Sequence, residues 1–475
     1  MPTEFDTEND AFHGADSAAS NSAEQSPLPT ATATTPIDTD DQPLPWKLIG
    51  FVSLQILLLA AGGVWAGYRV RQEQTQLVLP KFQPEPDRIG PLHDVPELVS
   101  DAELSRLLWK LRPRLRGPQS QTNHIDHALR FWGVEAKFDE ENCLSGEEMR
   151  ARLLDMRQFA KLWDDETAPL MVRVTGSGIR ARVQEGAASA SHVDHTLATL
   201  AEVGTPLDYP ILFERGEGNV GQLLRQAARD FSLNQIEYEW STLAFALYRP
   251  SRDEWFTTEK QKISFDRLAR RIMRQDLPQG VCYGNHRLYT LAALLRLDEQ
   301  RPLLSETART EIVAFLKDMT DRLVKNQKSD GSWDREWAGP LPPGTPATSV
   351  GTPLGNRILA TGHALEWWAI APEQLHPPRE TLLKAGRWLV TTIDGLSVRE
   401  IDANYTFLTH AGRALAFWRN QWPAAVPLTA VEEASTAIDA DAEAPAPPAA
   451  EETPSPADPA AGSADGATSA STGDN

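Results

Sequence analysis

A histidine pattern recurs along the middle of this 475-residue chain. In each copy a histidine is followed five residues later by an apolar residue, and in one copy a tyrosine takes the histidine's place. Imidazole titrates near neutral pH and is the commonest metal ligand in proteins. A repeated histidine is therefore a candidate for acid–base or metal chemistry. The first positions of the six copies are His124, His192, Tyr238, His286, His363 and His410.

Further polar residues accompany the repeated position. His127 and His195 lie three residues after a first position, which places them on the same helix face. Asp126 and Asp194 lie between the paired histidines and can orient an imidazole or ligate a metal through oxygen. A structural interpretation stands beside this one, since a histidine near a helix start can simply hydrogen-bond to the backbone. Polar residues near the repeated position complete the candidate set, namely Glu239, Glu366 and Arg413.

The spacing of the copies predicts the fold. Successive first positions are 68, 46, 48, 77 and 47 residues apart, so three of the five spacings agree within two residues. A period of this length suits two helices and two loops. Helical patterning dominates, and residues 170–174 are the best candidate for a strand. We therefore predict an all-α protein with a single α/α toroid of about six helical hairpins over residues 95–422, with the repeated positions at one mouth of a central cavity.

The formal net charge of −20 belongs to the two ends of the chain. Residues 1–45 and 423–475 carry acidic residues but no Lys or Arg, and they contain few large apolar residues. Such composition predicts disordered tails. The segment between them is nearly neutral, which excludes the broad basic surface that nucleic acid requires. Two cysteines, Cys143 and Cys282, also exclude a disulfide scaffold.

Residues 48–68 form an uncharged and largely apolar run. Its length matches the roughly 20 residues that cross a bilayer core, and Trp46, Trp65 and Tyr68 fit the aromatic belts at membrane interfaces. We predict one transmembrane helix over residues 46–68, followed by a linker over residues 69–94. Basic residues follow the span more densely than they precede it, which favours a cytoplasmic location for the folded domain.

The segment Gln327-Lys328-Ser329-Asp330-Gly331-Ser332-Trp333 resembles the Gln-Trp repeat motif of squalene and terpene cyclases. Those proteins and the related protein prenyltransferases are α/α toroids in which the motif joins neighbouring hairpins. The resemblance covers residues 281–422 and implies the same fold here. It does not carry the catalytic motifs of either family. The closest segment to the acidic cyclase motif is Asp164-Asp165-Glu166-Thr167-Ala168, and Gly280 stands where the prenyltransferase zinc site has aspartate.

Lanthionine cyclases, which are also single toroids, bind zinc through a Cys-Tyr-Gly motif and a Cys-His-Gly motif. Cys282-Tyr283-Gly284 is similar to the first motif, and His363 or His410 would stand near the second. The resemblance implies a zinc site formed by cysteine and histidines, with tetrahedral geometry. The candidate metal ligands are Cys282, His286, His363 and His410.

These observations lead to one expected function and several alternatives. We expect a membrane-anchored toroid whose polar, histidine-lined cavity binds a small-molecule or peptide ligand, with catalysis left open. The alternatives are a non-catalytic scaffold of a membrane complex and a zinc-dependent or carbohydrate-active enzyme on the same fold. Paired carboxylates near the cavity would serve the carbohydrate chemistry. The candidate cavity residues are His124, His127, His192, His195, Tyr238, Glu239, His286, His363, Glu366, His410 and Arg413.

Overall fold

The computed structural model describes most of the chain between the two predicted tails. The described residues are 46–76, 79–118, 120–163, 166–174, 178–235, 237–252, 254–340 and 352–430. They are mostly helical, with three short two-stranded sheets. The chain divides into two units, residues 1–68 and 69–475.

The described helices are numbered in chain order. They are α1 (Trp46–Gln76), α2 (Asp101–Lys110), α3 (Thr122–Trp132), α4 (Gly146–Leu154), α5 (Met156–Phe159), α6 (His195–Glu202), α7 (Val220–Asp230), α8 (Glu239–Leu247), α9 (Phe265–Arg274), α10 (Asn285–Gln300), α11 (Glu306–Asn326), α12 (Pro353–Ile370), α13 (Arg379–Gly395), α14 (Val398–Ala403) and α15 (Tyr405–Phe417).

The described strands form antiparallel pairs. They are β1 (Met171–Val174) with β2 (Gly178–Ala181), β3 (Pro210–Leu212) with β4 (Glu217–Asn219), and β5 (Trp255–Phe256) with β6 (Lys262–Ile263). The first pair contains the strand that the sequence predicted. All three pairs lie in connections between helices, and each contributes buried side chains to the core, such as Ile179, Ile211 and Ile263.

Helix α1 contains the predicted membrane span. Its portion Trp46–Tyr68 has a mean hydropathy of 2.0, and none of the most apolar window is buried. By length and composition this helix can cross a bilayer. The prediction of an apolar helix at this place is confirmed.

Six helices of the second unit follow one another in a closed cycle of contacts. Each contacts the next and the last contacts the first, in the order α3, α6, α8, α10, α12, α15 and again α3. We call these the inner helices. Each helix of a second set, which we call the outer helices, contacts at least one inner helix. These helices alternate with the inner helices along the chain: α2, α4, α7, α9, α11 and α13.

The inner and outer helices differ in how much of their surface is buried. Every residue of α6 and α8 is buried, because these helices have neighbours on all sides. Helix α11 instead buries one stripe that includes Ile312, Leu316 and Leu323, as a helix with one solvent face does. Five of the outer helices begin on a side chain that caps the first turn: Ser100, Ser145, Asn219, Ser264 and Ser305.

The domain is longer than the sequence predicted at both ends. Residues 79–94 were expected to be linker, but Ile89 is buried in the core and Phe82 forms a β-bridge with Pro250. Residues 423–430 were expected to be tail, yet Val426 is buried and the Ser105 hydroxyl donates to the Pro427 carbonyl at 2.6 Å. Isolated apolar residues between prolines carry no periodicity, so composition could not reveal these contacts. The remaining tail residues, 1–45 and 431–475, lie outside the described residues.

The Gln327–Trp333 segment joins neighbouring helices. The Gln327 side chain donates to the carbonyls of Gly331 and Thr381, both at 2.9 Å, and so ties the end of α11 to the start of α13. The buried Trp333 indole donates to the Leu323 carbonyl at 2.8 Å. The Trp333 bond satisfies a carbonyl that the last turn of α11 leaves free.

Candidate functional site

One aromatic side chain from each inner helix meets its neighbours at the centre of the cycle. Successive ring centroids lie between 3.8 and 5.4 Å apart around the whole circuit. Each side chain is at most 7% exposed. We call this set the hexad, and its members are His127, His195, Trp240, His286, His363 and His410.

The hexad corrects the predicted register of three helices. The sequence pattern selected His124, His192 and Tyr238. The hexad members on these helices lie two or three positions later in the chain, at His127, His195 and Trp240. The His124 ring instead lies 6.1 Å from that of Tyr405. His124 is the third residue of α3, whereas His192 and Tyr238 precede α6 and α8, which begin at His195 and Glu239. A shift of three residues keeps the helix face, so periodicity could not separate the two registers.

The other predicted members lie outside the hexad. His192 precedes α6 and pairs with Glu237. Tyr238 is buried and accepts a hydrogen bond from Arg271 at 3.2 Å. Glu239 is fully buried beside Arg287, with its Oε1 3.7 Å from the Arg287 Nε. Burial raises the pKa of Glu239.

A second polar layer lies one to two helical turns beyond the hexad. We call it the charged layer, and its members are Arg130, Glu202, Tyr289, Glu366 and Arg413. Four of them follow a hexad histidine by three residues, and Glu202 follows His195 by seven. The sequence pattern selected Glu366 and Arg413 but not Arg130, Glu202 or Tyr289. Arg130 and Tyr289 each lie three positions after a histidine, and this spacing could have indicated them.

The charged layer is a closed network of ion pairs. Arg130 lies 2.5 Å from Glu202 and 2.7 Å from Glu366. Arg413 lies 2.9 Å from Glu202 and 2.7 Å from Glu366. The Tyr289 hydroxyl donates to Glu202 at 2.5 Å. Two guanidinium groups therefore balance two carboxylates in a fully buried setting.

This balance keeps the Glu366 carboxyl ionised. Burial by itself raises its pKa, but Arg130 and the facing imidazoles hold the pKa well below its ordinary value. The Oε2 atom of Glu366 accepts from His363 Nδ1 at 3.1 Å and from His410 Nδ1 at 3.0 Å. An ionised carboxylate can only accept, so His363 carries its proton on Nδ1 and presents an Nε2 lone pair. His410 Nδ1 lies in addition 3.3 Å from Nη1 of Arg130, which can only donate.

Two further hexad histidines are held in the same way. His195 Nδ1 lies 2.9 Å from Asp126 Oδ2, and His127 Nδ1 lies 2.8 Å from the Asn123 carbonyl oxygen. Both acceptors again place the proton on Nδ1. Three of the five hexad imidazoles, those of His127, His195 and His363, thus present an Nε2 lone pair. Among the described residues, the buried Nε2 atoms of His195 and His363 have no hydrogen-bond partner.

Burial favours the neutral form of four hexad imidazoles, those of His127, His286, His363 and His410. Burial lowers the pKa of His286, His127 and His410 well below the ordinary value, and neighbouring imidazoles lower it further. Burial also lowers the pKa of His363. Neutral imidazole is the form that ligates metal.

Cys282 joins the hexad from a tight turn. Cys282, Tyr283 and Gly284 have φ values of 49°, 59° and 75°, which is the left-handed region that non-glycine residues seldom adopt. Tyr283 secures the turn by donating to Asn356 Oδ1 at 2.7 Å. The ligand atoms of Cys282, His286 and His363 lie within 4.8 Å of one another, as do those of His363, Glu366 and His410. The four predicted metal ligands therefore fall in two adjoining groups that share His363.

The centre of the cycle is filled by these side chains, where an open cavity was expected. The hexad and the charged layer are buried, and side chains of non-adjacent inner helices meet there, as Arg130 of α3 meets Glu366 of α12 at 2.7 Å. A surface cavity of about 420 Å³ lies elsewhere, lined by Trp109, Trp132 and Phe138 among others. The centre therefore suits an ion better than a larger ligand.

No family model, curated protein or solved structure matches this chain.

Proposed function

We propose that this protein is a membrane-anchored α/α toroid that binds a divalent transition-metal ion, zinc in particular, at the hexad. The proposed ligands are Cys282, His286, His363 and His410. The observation that carries the proposal is the convergence of Cys282, His286 and His363, whose ligand atoms lie within 4.8 Å of one another and of which the buried His363 Nε2 has no hydrogen-bond partner.

The toroid rests on the closed cycle of inner helices and on the outer helices that alternate with them. The contacts of Gln327 and Trp333 agree with a resemblance to the terpene cyclase and prenyltransferase superfamily. The apolar helix over Trp46–Tyr68 supports a single-pass anchor. The distribution of basic residues beside this helix favours a cytoplasmic domain.

The donor set fits zinc. Zinc takes cysteine sulfur and histidine nitrogen at about 2.0–2.3 Å in tetrahedral geometry. Burial raises the pKa of the Cys282 thiol, so a bound cation would have to displace its proton. Glu366 holds two of the imidazoles through Nδ1, which is how carboxylates commonly orient metal-ligating histidines.

A scaffold without a metal is the second candidate. Its support is the charged layer, which is completely paired and stabilises the centre without any ligand. On this alternative the hexad histidines only pack and hydrogen-bond. The two candidates differ in whether the hexad takes up an ion.

Elemental analysis and zinc titration of the full chain in detergent distinguish them. We expect one zinc per chain and a melting temperature that rises with zinc, because a ligand that binds only the folded state stabilises it. His363→Gln should weaken zinc affinity at least about 100-fold, since it removes a direct ligand. The matched control is His124→Gln, outside the hexad, which should bind zinc normally. Absence of metal together with an unchanged melting temperature would favour the scaffold.

A further inference from the structure

Residues 79–95 cross one mouth of the cycle of inner helices. The structure describes all of these residues, and they contain no helix. Groups along this segment contact a residue shortly beyond the C-terminal end of each inner helix, at distances of 2.8 to 3.3 Å. The C-terminal ends therefore lie at the same mouth. We call the segment the strap, and its partners, from α3 to α15, are Glu135, Leu207, Tyr248, Arg301, Ala371 and Trp418.

The first part of the strap is bound to α8 and α10. The Gln83 amide donates to the Tyr248 carbonyl and the Asp87 amide donates to the Leu247 carbonyl, both at 2.9 Å. The Asp87 carboxylate also pairs with Arg301 at 2.8 Å. Imidazole is the side chain whose charge ordinarily changes between about pH 5 and 8. No imidazole takes part in these three contacts, so they persist through that range.

The last part of the strap reaches α12 through a pair of imidazoles. His93 Nε2 lies 3.1 Å from the Ala371 carbonyl oxygen. His376 Nε2 lies 3.2 Å from the same oxygen and 2.9 Å from that of Trp368. The two rings lie 4.5 Å apart, and both contact the Trp418 ring, at 5.3 and 5.1 Å. Because a carbonyl only accepts, both imidazoles bear a proton on Nε2.

The charged groups around the two imidazoles can balance one added proton but not two. Glu373 favours protonation of both rings, whereas Arg296 of α10 opposes protonation of the strap imidazole. Asp94, the next residue of the strap, is already paired with Arg419 at 2.8 Å. Of these four groups, Glu373 is the carboxylate that can balance an imidazolium.

Low pH favours separation of the two imidazoles. Burial and the facing His93 lower the pKa of His376 to about 4, and burial also lowers the pKa of His93. An imidazole that leaves this contact for water regains an ordinary pKa near 6.5. The separated form therefore binds more protons between about pH 6.5 and pH 4, and it gains stability relative to the closed form as the pH falls. Two positive charges 4.5 Å apart also repel each other.

We propose that His93 and His376 form a pH-sensitive latch, which holds the strap on α12 while both imidazoles are neutral and releases it when they are protonated. The bonds to α8 and α10 keep the first part of the strap in place. Release is therefore local, and it opens the mouth beside α12, the helix that carries His363 and Glu366. The latch does not depend on the proposed metal site.

The test is amide hydrogen exchange of the full chain in detergent at pH 7.5 and pH 5, with each rate divided by its intrinsic value at that pH. The Val95 amide, which donates to the Trp418 carbonyl at 2.8 Å, reports on the latch. The Asp87 amide reports on the first part of the strap. We expect the protection of Val95 to fall at least about tenfold at pH 5, since each unit of lowered pKa can favour release about tenfold. Protection of Asp87 should change less than about threefold.

The double variant His93→Gln/His376→Gln should show less than about a twofold change in Val95 protection, because glutamine can donate to the same carbonyls but does not titrate. The matched control is His124→Gln, which removes an imidazole of α3 and should keep the native pH response. Equal losses of protection at Val95 and Asp87 would mean that the whole strap opens, and would overturn the latch. A native chain without the Val95 change, or a double variant that retains it, would also overturn it.

Discussion

The hexad and the charged layer are neighbouring buried polar layers that differ in how completely their groups are paired. In the charged layer each carboxylate meets two guanidinium groups at 2.5 to 2.9 Å. In the hexad, the Nδ1 atoms are bonded but the buried Nε2 atoms of His195 and His363 are not. A buried polar group without a partner destabilises the fold. The contrast teaches that unsatisfied donors and acceptors, rather than polarity itself, separate a candidate binding centre from a structural one.

The largest expected effect follows from breaking the charged layer. Arg413→Met leaves Glu202 and Glu366 with one guanidinium between them, and we expect a loss of about 3–5 kcal/mol in the free energy of unfolding. Urea denaturation of the full chain in detergent measures it. The control is Arg106→Met, which breaks an exposed pair with Asp394 and should cost less than about 1 kcal/mol. An equal loss in both variants would show that burial does not distinguish the pairs.

Two variants separate the layers by function. Glu366→Gln removes the carboxylate that orients His363 and His410, and we expect zinc affinity to fall about 10–100-fold. Glu202→Gln removes the other carboxylate of the charged layer, which touches no hexad imidazole. It should destabilise the fold while leaving zinc affinity within about threefold. Isothermal titration of folded protein gives the affinities, and equal affinity losses would contradict an orienting role for Glu366.

A smaller effect is expected from a pair of imidazoles outside the hexad. His93 and His376 lie 4.5 Å apart, and both bond through Nε2 to carbonyls at the end of α12. Burial lowers the pKa of His376 to about 4 and also lowers that of His93, with Glu373 and Arg296 as the charged neighbours. The unfolded chain therefore binds more protons between about pH 6.5 and pH 4.

This pair should make the domain less stable as the pH falls through that window. The stability that the neutral pair contributes to the folded domain is fully present above about pH 6.5 and is lost as the pH falls towards 4. His376→Gln should flatten the fall in melting temperature without changing zinc affinity at pH 7.5. If the melting temperature of His376→Gln falls with pH as much as that of the native chain, the loss of stability at low pH is due to other titratable groups.

Much of the architecture is determined by local sequence. The uncharged run at residues 48–68 predicted an apolar helix, and α1 contains it. Helical spacing of apolar residues predicted a helical domain, because the pattern repeats within each element. The histidine repeat selected His286, His363 and His410, which are members of the hexad. At two other helices it selected His124 and His192, which lie one helical turn before the hexad members His127 and His195, since the position of a helix depends on packing as well as on local residues.

The tertiary structure alone decided the electrostatics of the centre. Arg130 and Glu366 are 236 residues apart in the chain, so no local pattern predicts that they meet. The same contact helps to keep Glu366 ionised, and Glu366 in turn orients His363 and His410. Residues 79–94 and 423–430 likewise joined the domain through contacts with distant partners. Periodicity is a property of neighbours in sequence, whereas pairing and burial are properties of neighbours in space.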